Sequence, residues 1–177
     1  SGLVVTPGTH SKWIRFEDDR INNFRTFMTG ELFAAVRSGT VLGEEMGDPG
    51  VDMAAFEDGV RRSLADRALT AILFSVRAER LSGILSQASM ADYLSGLLIG
   101  AEIAAQDKVF DRTITVVGPP ALNDRYVAAL AMADSGYVPP RERTDIKVLG
   151  QEGLGIVHVG AHSMKSAGYI SDHDQLI

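Results

Sequence analysis

No cysteine occurs in the 177 residues, which rules out a disulfide framework and a thiolate-held metal. Cations are in the minority, since 17 Lys and Arg against 23 Asp and Glu leave a formal net charge of −6. Neutralising nucleic-acid phosphates needs clustered Lys and Arg, and no basic stripe exists, so no nucleic-acid partner is expected. Long hydrophobic runs are also missing: the longest near-apolar segment, Tyr93 to Ala105, contains Glu102 and falls short of the roughly 20 residues a membrane span requires. No membrane helix and no secretory signal are expected, and the cytoplasm is the default compartment. What remains is 45% apolar and 23% charged, the balance of a globular unit with one sizeable core.

Residues 3–6, 12–17 and 20–27 read as three strands of an antiparallel meander, with Asp18-Asp19 as the two-residue turn between the second and third. Thr29 is placed to cap a helix that carries Glu31 in its first turn and stops at Ser38-Gly39. Gly43 to Gly50, with three glycines, one proline and three acids, reads as a solvated loop. Apolar residues at Phe56, Val60, Leu64, Ala68, Ile72 and Val76 predict one long or broken amphipathic helix from Asp52 to about Arg77. A further helix is expected over 86–105, with Ser89 and Asp92 in a capping arrangement. Its Gly96 and Gly100, one turn apart, predict close approach of another backbone. Thr113–Val117 is a β-branched strand that ends in Gly118-Pro119-Pro120-Ala121 and leads into a helix from about Asn123 to Ala133. Beyond Pro139-Pro140 the chain turns polar, apart from an apolar run at 155–159.

The chemistry suggested by single motifs is mostly negative. There is no Walker phosphate loop, the glycines at 150, 153 and 155 stand in the wrong order for a dinucleotide fold, and no nucleophile elbow occurs. His10 beside Ser11 invites a hydrolase reading, but neighbouring strand residues face opposite ways. His158, His162, Asp172, His173 and Asp174 permit a metal site only on paper, and no metal ligand set is assigned. The turn Thr6-Pro7-Gly8-Thr9-His10-Ser11-Lys12-Trp13 is more suggestive. A tight Gly-Thr turn between strands offers backbone N–H groups to an anion, and Lys12 adds a positive charge, although the same turn would also serve as an ordinary hairpin loop.

Four blocks together carry a resemblance: Pro7-Gly8-Thr9-His10-Ser11-Lys12-Trp13, Thr26-Phe27-Met28-Thr29-Gly30-Glu31-Leu32-Phe33, Phe74-Ser75-Val76-Arg77, and Tyr93-Leu94-Ser95-Gly96-Leu97-Leu98-Ile99-Gly100-Ala101-Glu102. Across about residues 3 to 133 the chain resembles the 2-dehydro-3-deoxygalactonokinases, sugar-acid kinases of the actin-like, sugar kinase and Hsp70 ATPase superfamily. The resemblance implies an α/β fold, a ribonuclease H-like actin-type ATPase lobe whose mixed sheet begins with the antiparallel meander and is flanked by helices. Residues 1–136 would be the second, ATP-binding lobe and 137–177 a divergent C-terminal tail. Gly8, Thr9, His10, Ser11 and Lys12 would surround the phosphates, Gly118, Pro119, Ala121 and Leu122 would hold the adenosine, and Thr29 and Glu31 would lie on the substrate side. The implied reaction uses ATP and Mg2+ to phosphorylate 2-dehydro-3-deoxy-D-galactonate at its 6-hydroxyl, in galactonate breakdown. The expected partners are therefore a small sugar acid and ATP, with a homo-oligomer or an upstream first lobe completing the site. The family's acidic phosphate loop and its catalytic acid have no counterpart in these residues. A non-catalytic fragment, or a nucleotide-binding module lacking the first lobe, is the alternative.

Overall fold

The computed structural model describes residues 2–50, 52–106, 113–137, 144–151 and 154–161. Strands β1 (Gly2–Thr6), β2 (Ser11–Glu17) and β3 (Arg20–Phe27) form the expected meander. Asp18 and Asp19 make its turn at φ 48° and 57°, a left-handed pair that short acidic side chains tolerate and that matches strand twist. Alternation decides the faces: Leu3 and Val5 of β1 and Ser11 and Trp13 of β2 point into the core. Strand β4 (Ile114–Gly118) runs parallel to β1 and buries Ile114 and Val116 on the same side. Two further strands, β5 (Thr144–Gln151) and β6 (Leu154–Ala161), pair with each other, and β6 lies antiparallel to β4. The segment expected as a divergent tail thus contributes to one mixed sheet in the order β3-β2-β1-β4-β6-β5. Pro139, Pro140, His162, Asp172, His173 and Asp174 lie outside the described residues.

Six helices complete the described fold. Helix α1 (Thr29–Gly39) starts one residue earlier than capping by Thr29 would require: Met28 occupies the cap position, and the Thr29 hydroxyl is committed elsewhere. The long amphipathic pattern resolves into α2 (Met53–Ala65), α3 (Leu69–Leu73) and α4 (Ser75–Leu81). Asp52 caps α2 by accepting the Ala55 N–H at 3.0 Å. The break after α2 falls at Asp66, whose backbone is extended and whose side chain accepts the Ala68 N–H at 2.8 Å, a local bond that competes with the helical ladder.

Helix α5 (Met90–Ala104) is the axis of the domain, and only Ser95 and Ala101 escape burial along it. The expected capping box is replaced by something else. The Ser89 hydroxyl donates to Asp52, and the Asp92 carboxylate accepts the N–H groups of Gly50 and Asp52 at 2.7 and 2.8 Å. The close approach expected at Gly96 and Gly100 is present. A Cβ on Gly96 would stand on the Phe56 carbonyl and 3.0 Å from Val60 N, and one on Gly100 would stand 3.0 Å from Val60 Cα. Gly59 of α2 answers from the other side, so two backbones touch, and the Ser63 hydroxyl donates to the Leu97 carbonyl at 2.6 Å across the seam. Helix α6 (Pro120–Tyr137) begins earlier than expected, with proline in its first helical position, where the missing N–H costs nothing. Two apolar clusters result: one between the sheet and α2, α5 and α6, the other joining α5 to α1, α3 and α4.

Candidate functional site

The turn between β1 and β2 sits at the carboxyl end of β1, beside the turn that ends the parallel strand β4. Pro7 is buried against Gly118, where an added Cβ would come within 3.2 Å of Pro7 Cδ. Helix α1 clamps the turn from the opposite side, because the Glu31 N–H donates to the Thr9 carbonyl at 2.9 Å. Gly30 makes this clamp sterically available, since a Cβ there would lie 2.5 Å from the Gly8 carbonyl and 2.8 Å from Thr9 Cα. Gly8 itself faces open space: a Cβ on it meets nothing within 4 Å.

A cavity of about 130 Å³ opens beside this turn. Gly8, Thr29 and Gly30 form one side, Leu122, Arg125 and Tyr126 of α6 another, and Ser95, Leu98 and Ile99 of α5 the floor. The structure therefore brings together a turn and a helix start that are 114 positions apart (122 − 8) in the sequence. Gly118 is buried at the end of β4, Pro119 is exposed just before α6, and Ala121 is exposed in the first turn of α6.

Two buried carboxylates lie below the cavity, both on α5. Asp92 is fully buried and forms an ion pair with Arg125 in addition to accepting the N–H groups of Gly50 and Asp52. The Arg125 guanidinium also stacks 5.0 Å from the centroid of Phe56, and its Nη1 is buried without a hydrogen-bond partner among the described residues. Glu102, 3% exposed, accepts four side-chain hydrogen bonds. Ser11 Oγ and Tyr126 OH each donate to Oε2 at 2.8 Å, Thr29 Oγ1 donates to the same oxygen, and Trp13 Nε1 donates to Oε1 at 2.6 Å. Burial and the adjoining Glu102 carboxylate push the Tyr126 phenol well above its ordinary range. Burial also raises Tyr93, while the Ser89 hydroxyl and the Ala55 N–H hold Asp52 below the usual carboxylate value.

The residues singled out around the turn separate into two faces. Thr9 and His10 are exposed, and His10 Nε2 lies 2.5 Å from Glu31. Lys12 is exposed and folds its amine back to donate to the His10 carbonyl at 3.2 Å. Ser11 is fully buried, with its hydroxyl spent on Glu102, so it and His10 diverge and form no nucleophile and base pair. Thr29 borders the cavity, whereas Glu31 stands outside it beside His10. Reasoning from single motifs passed over Glu102, Arg125, Tyr126 and the clamp at Gly30. One signal was available: Asp92 and Glu102 are acids in a helix that is otherwise apolar all round, and a carboxylate there must find donors.

The family model described as 2-keto-3-deoxy-galactonokinase matches residues 1–150. The chain belongs to this family. It is 40% identical over 131 residues to the 2-dehydro-3-deoxygalactonokinase of Escherichia coli (strain K12), an alignment that covers 73% of this chain and 45% of that protein. A protein of Rhizobium meliloti (strain 1021) named "Probable 2-dehydro-3-deoxygalactonokinase DgoK1" is 47% identical over 108 residues, covering 59% of this chain and 35% of its own length. Among solved structures, one described as "a putative 2-dehydro-3-deoxygalactonokinase protein from Sinorhizobium meliloti" superimposes with a TM-score of 0.67 at 43% identity, over 73% of this chain and 45% of that one. The chain thus spans less than half the length of the relatives it matches. Its mixed α/β architecture is that of an actin-like ATPase lobe, and the kinase family's match reaches residue 150, past the block of resemblance that ended near 133.

Proposed function

We propose that residues 1–136 are the ATP-binding lobe of a sugar-acid kinase that transfers the γ-phosphoryl group of ATP to the 6-hydroxyl of 2-dehydro-3-deoxy-D-galactonate. One observation carries this reading: Gly8 of the turn and Leu122 at the start of α6 border the same cavity. Phosphates at the turn and adenosine beside 118–122 then belong to one ligand. Phosphoryl transfer depends mainly on positioning and charge stabilisation, and this lobe's residues supply the positioning. Backbone N–H groups of Gly8 and Thr9 would receive the phosphate oxygens. His10 and Lys12 stand on the exposed side of the turn, Thr29 borders the cavity, and Glu31 flanks it. The neutral and basic groups at the turn fit an anion, and Mg2+ would be carried on the nucleotide's own phosphates together with water, as is usual for that ion.

A nucleotide-binding module without turnover is the second reading, favoured by the chain's covering 45% of the Escherichia coli relative. Calorimetric titration with MgATP, paired with an assay of phosphoryl transfer to the sugar acid, separates the two. Gly8→Val is the diagnostic variant: its side chain enters open space in the free protein, so the fold survives while close approach of a phosphate is blocked. Binding is expected to fall at least about 100-fold, roughly 2.7 kcal/mol. Unchanged affinity would remove the phosphate role from this turn.

A further inference from the structure

We propose that Glu102 is a positioning residue of the nucleotide site: its carboxylate fixes the turn and the Thr29 hydroxyl against the cavity wall before any ligand arrives. The inference deepens the kinase reading and rests on it for the identity of the ligand. Its physical basis lies in where the four donors come from. Ser11 is the first residue of β2 after the turn, Trp13 is two residues along the same strand, Thr29 opens α1, and Tyr126 belongs to the α6 wall of the cavity. The β1–β2 turn, α1 and α6, three of the segments that border the cavity, are therefore tied to one carboxylate on α5. The anchor is itself immobile, because α5 meets α2 backbone to backbone at Gly59 and Gly96.

A polar network of this kind costs desolvation that apolar packing would avoid, and its return is a unique arrangement of the groups it holds. The arrangement has a chemical consequence at Thr29. A hydroxyl has one proton, and here that proton is committed to Glu102. Only acceptor lone pairs remain for a ligand, so Thr29 reads a ligand hydroxyl or N–H and cannot donate to a phosphate oxygen. The group it faces is thus a sugar or ribose hydroxyl, while phosphates are left to the backbone of Gly8 and Thr9.

The test is amide hydrogen exchange on Glu102→Gln, with nucleotide affinity as a second arm. The amide side chain keeps the size but removes the charge and one of the two acceptor oxygens, so the four donors can no longer all be satisfied. Exchange is expected to accelerate at least tenfold at Glu31, whose N–H closes the clamp, and at Ser11, while Val60 and Leu64 of α2 stay within twofold of the parent. MgATP affinity is expected to drop at least tenfold. Uniform acceleration through the domain, or none at the turn, would overturn the proposal, as would unchanged affinity in a variant whose parent binds. A parent chain that does not bind MgATP would refute the nucleotide reading instead, and the exchange arm would still decide whether Glu102 sets the turn. Ser11→Ala removes a single donor and is expected to give the same local pattern at lower amplitude should Glu102→Gln fail to fold. The single tryptophan adds a direct probe: the Trp13 indole N–H resonance is expected to move upfield when the carboxylate is lost.

Discussion

Replacing Gly96 by alanine sets two physical effects against each other, and the structure decides the sign. Inside a helix, alanine is favoured over glycine by about 1 kcal/mol. Helix propensity alone therefore predicts a more stable protein. The new Cβ, however, would stand on the Phe56 carbonyl and 3.0 Å from Val60 N, and both obstacles are backbone atoms of α2. They have no rotamer to change, so α2 must shift away from α5, against a seam also fixed by Ser63 and Gly59. Overpacking of this kind costs about 3 kcal/mol at the upper end of the usual range. Subtracting the propensity gain leaves about 2 kcal/mol of destabilisation, or a fall of about 4–8 °C in Tm for a domain of this size. Gly39 provides the internal control, because a Cβ on it meets nothing within 4 Å at the end of α1, and Gly39→Ala is expected to be neutral or stabilising. Differential scanning calorimetry of both variants is the assay. A Gly96→Ala protein that melts at or above the parent temperature would refute the claim that two backbones touch at this point.

Two further expectations concern the buried charges and phenols. Arg125→Met removes the cation paired with the buried Asp92 carboxylate, which is expected to cost about 3 kcal/mol in urea unfolding; Arg125→Met combined with Asp92→Asn should recover part of that loss, and strict additivity of the two would contradict the ion pair. The folded pKa values of Tyr126 and Tyr93 lie above their ordinary value of about 10, so above that pH the folded state holds more protons than the unfolded one. Stability that is complete below about pH 10 is then lost as pH rises, and phenolate absorbance from Tyr126 should appear only with unfolding; Tyr126→Phe should soften the pH dependence, and an unchanged profile would count against it.

How much of this was legible in the sequence depends on the range of the interaction. The meander, the Asp18-Asp19 turn, α5 and the step from β4 into α6 follow from alternation, glycine placement and β-branched runs, all of which act within a few residues. The close approach at Gly96 and Gly100 was readable because two glycines on one face of a buried helix have few other uses. Where local signals failed, a distant partner had claimed the side chain. Thr29 and Ser89 look like helix caps, yet Glu102 takes the first hydroxyl and Asp52 the second. Asp92 looks like a capping acid, yet Arg125, 33 residues away, neutralises it. The pairing of adjacent Arg125 and Tyr126 with two separate acids of α5 leaves no periodic trace, because it depends on how α6 crosses α5. Four ordered blocks carried the family resemblance, but no block by itself revealed the cavity that unites residues 8 and 122.

The most direct measurement of the central claim is a residue-resolved amide footprint of the parent chain titrated with MgATP. Simultaneous shifts at Gly8 and Thr9 and at Ala121 and Leu122, saturating with one affinity, are the predicted result. Saturable binding that leaves the turn amides unmoved, or that perturbs only one of the two segments, would contradict it.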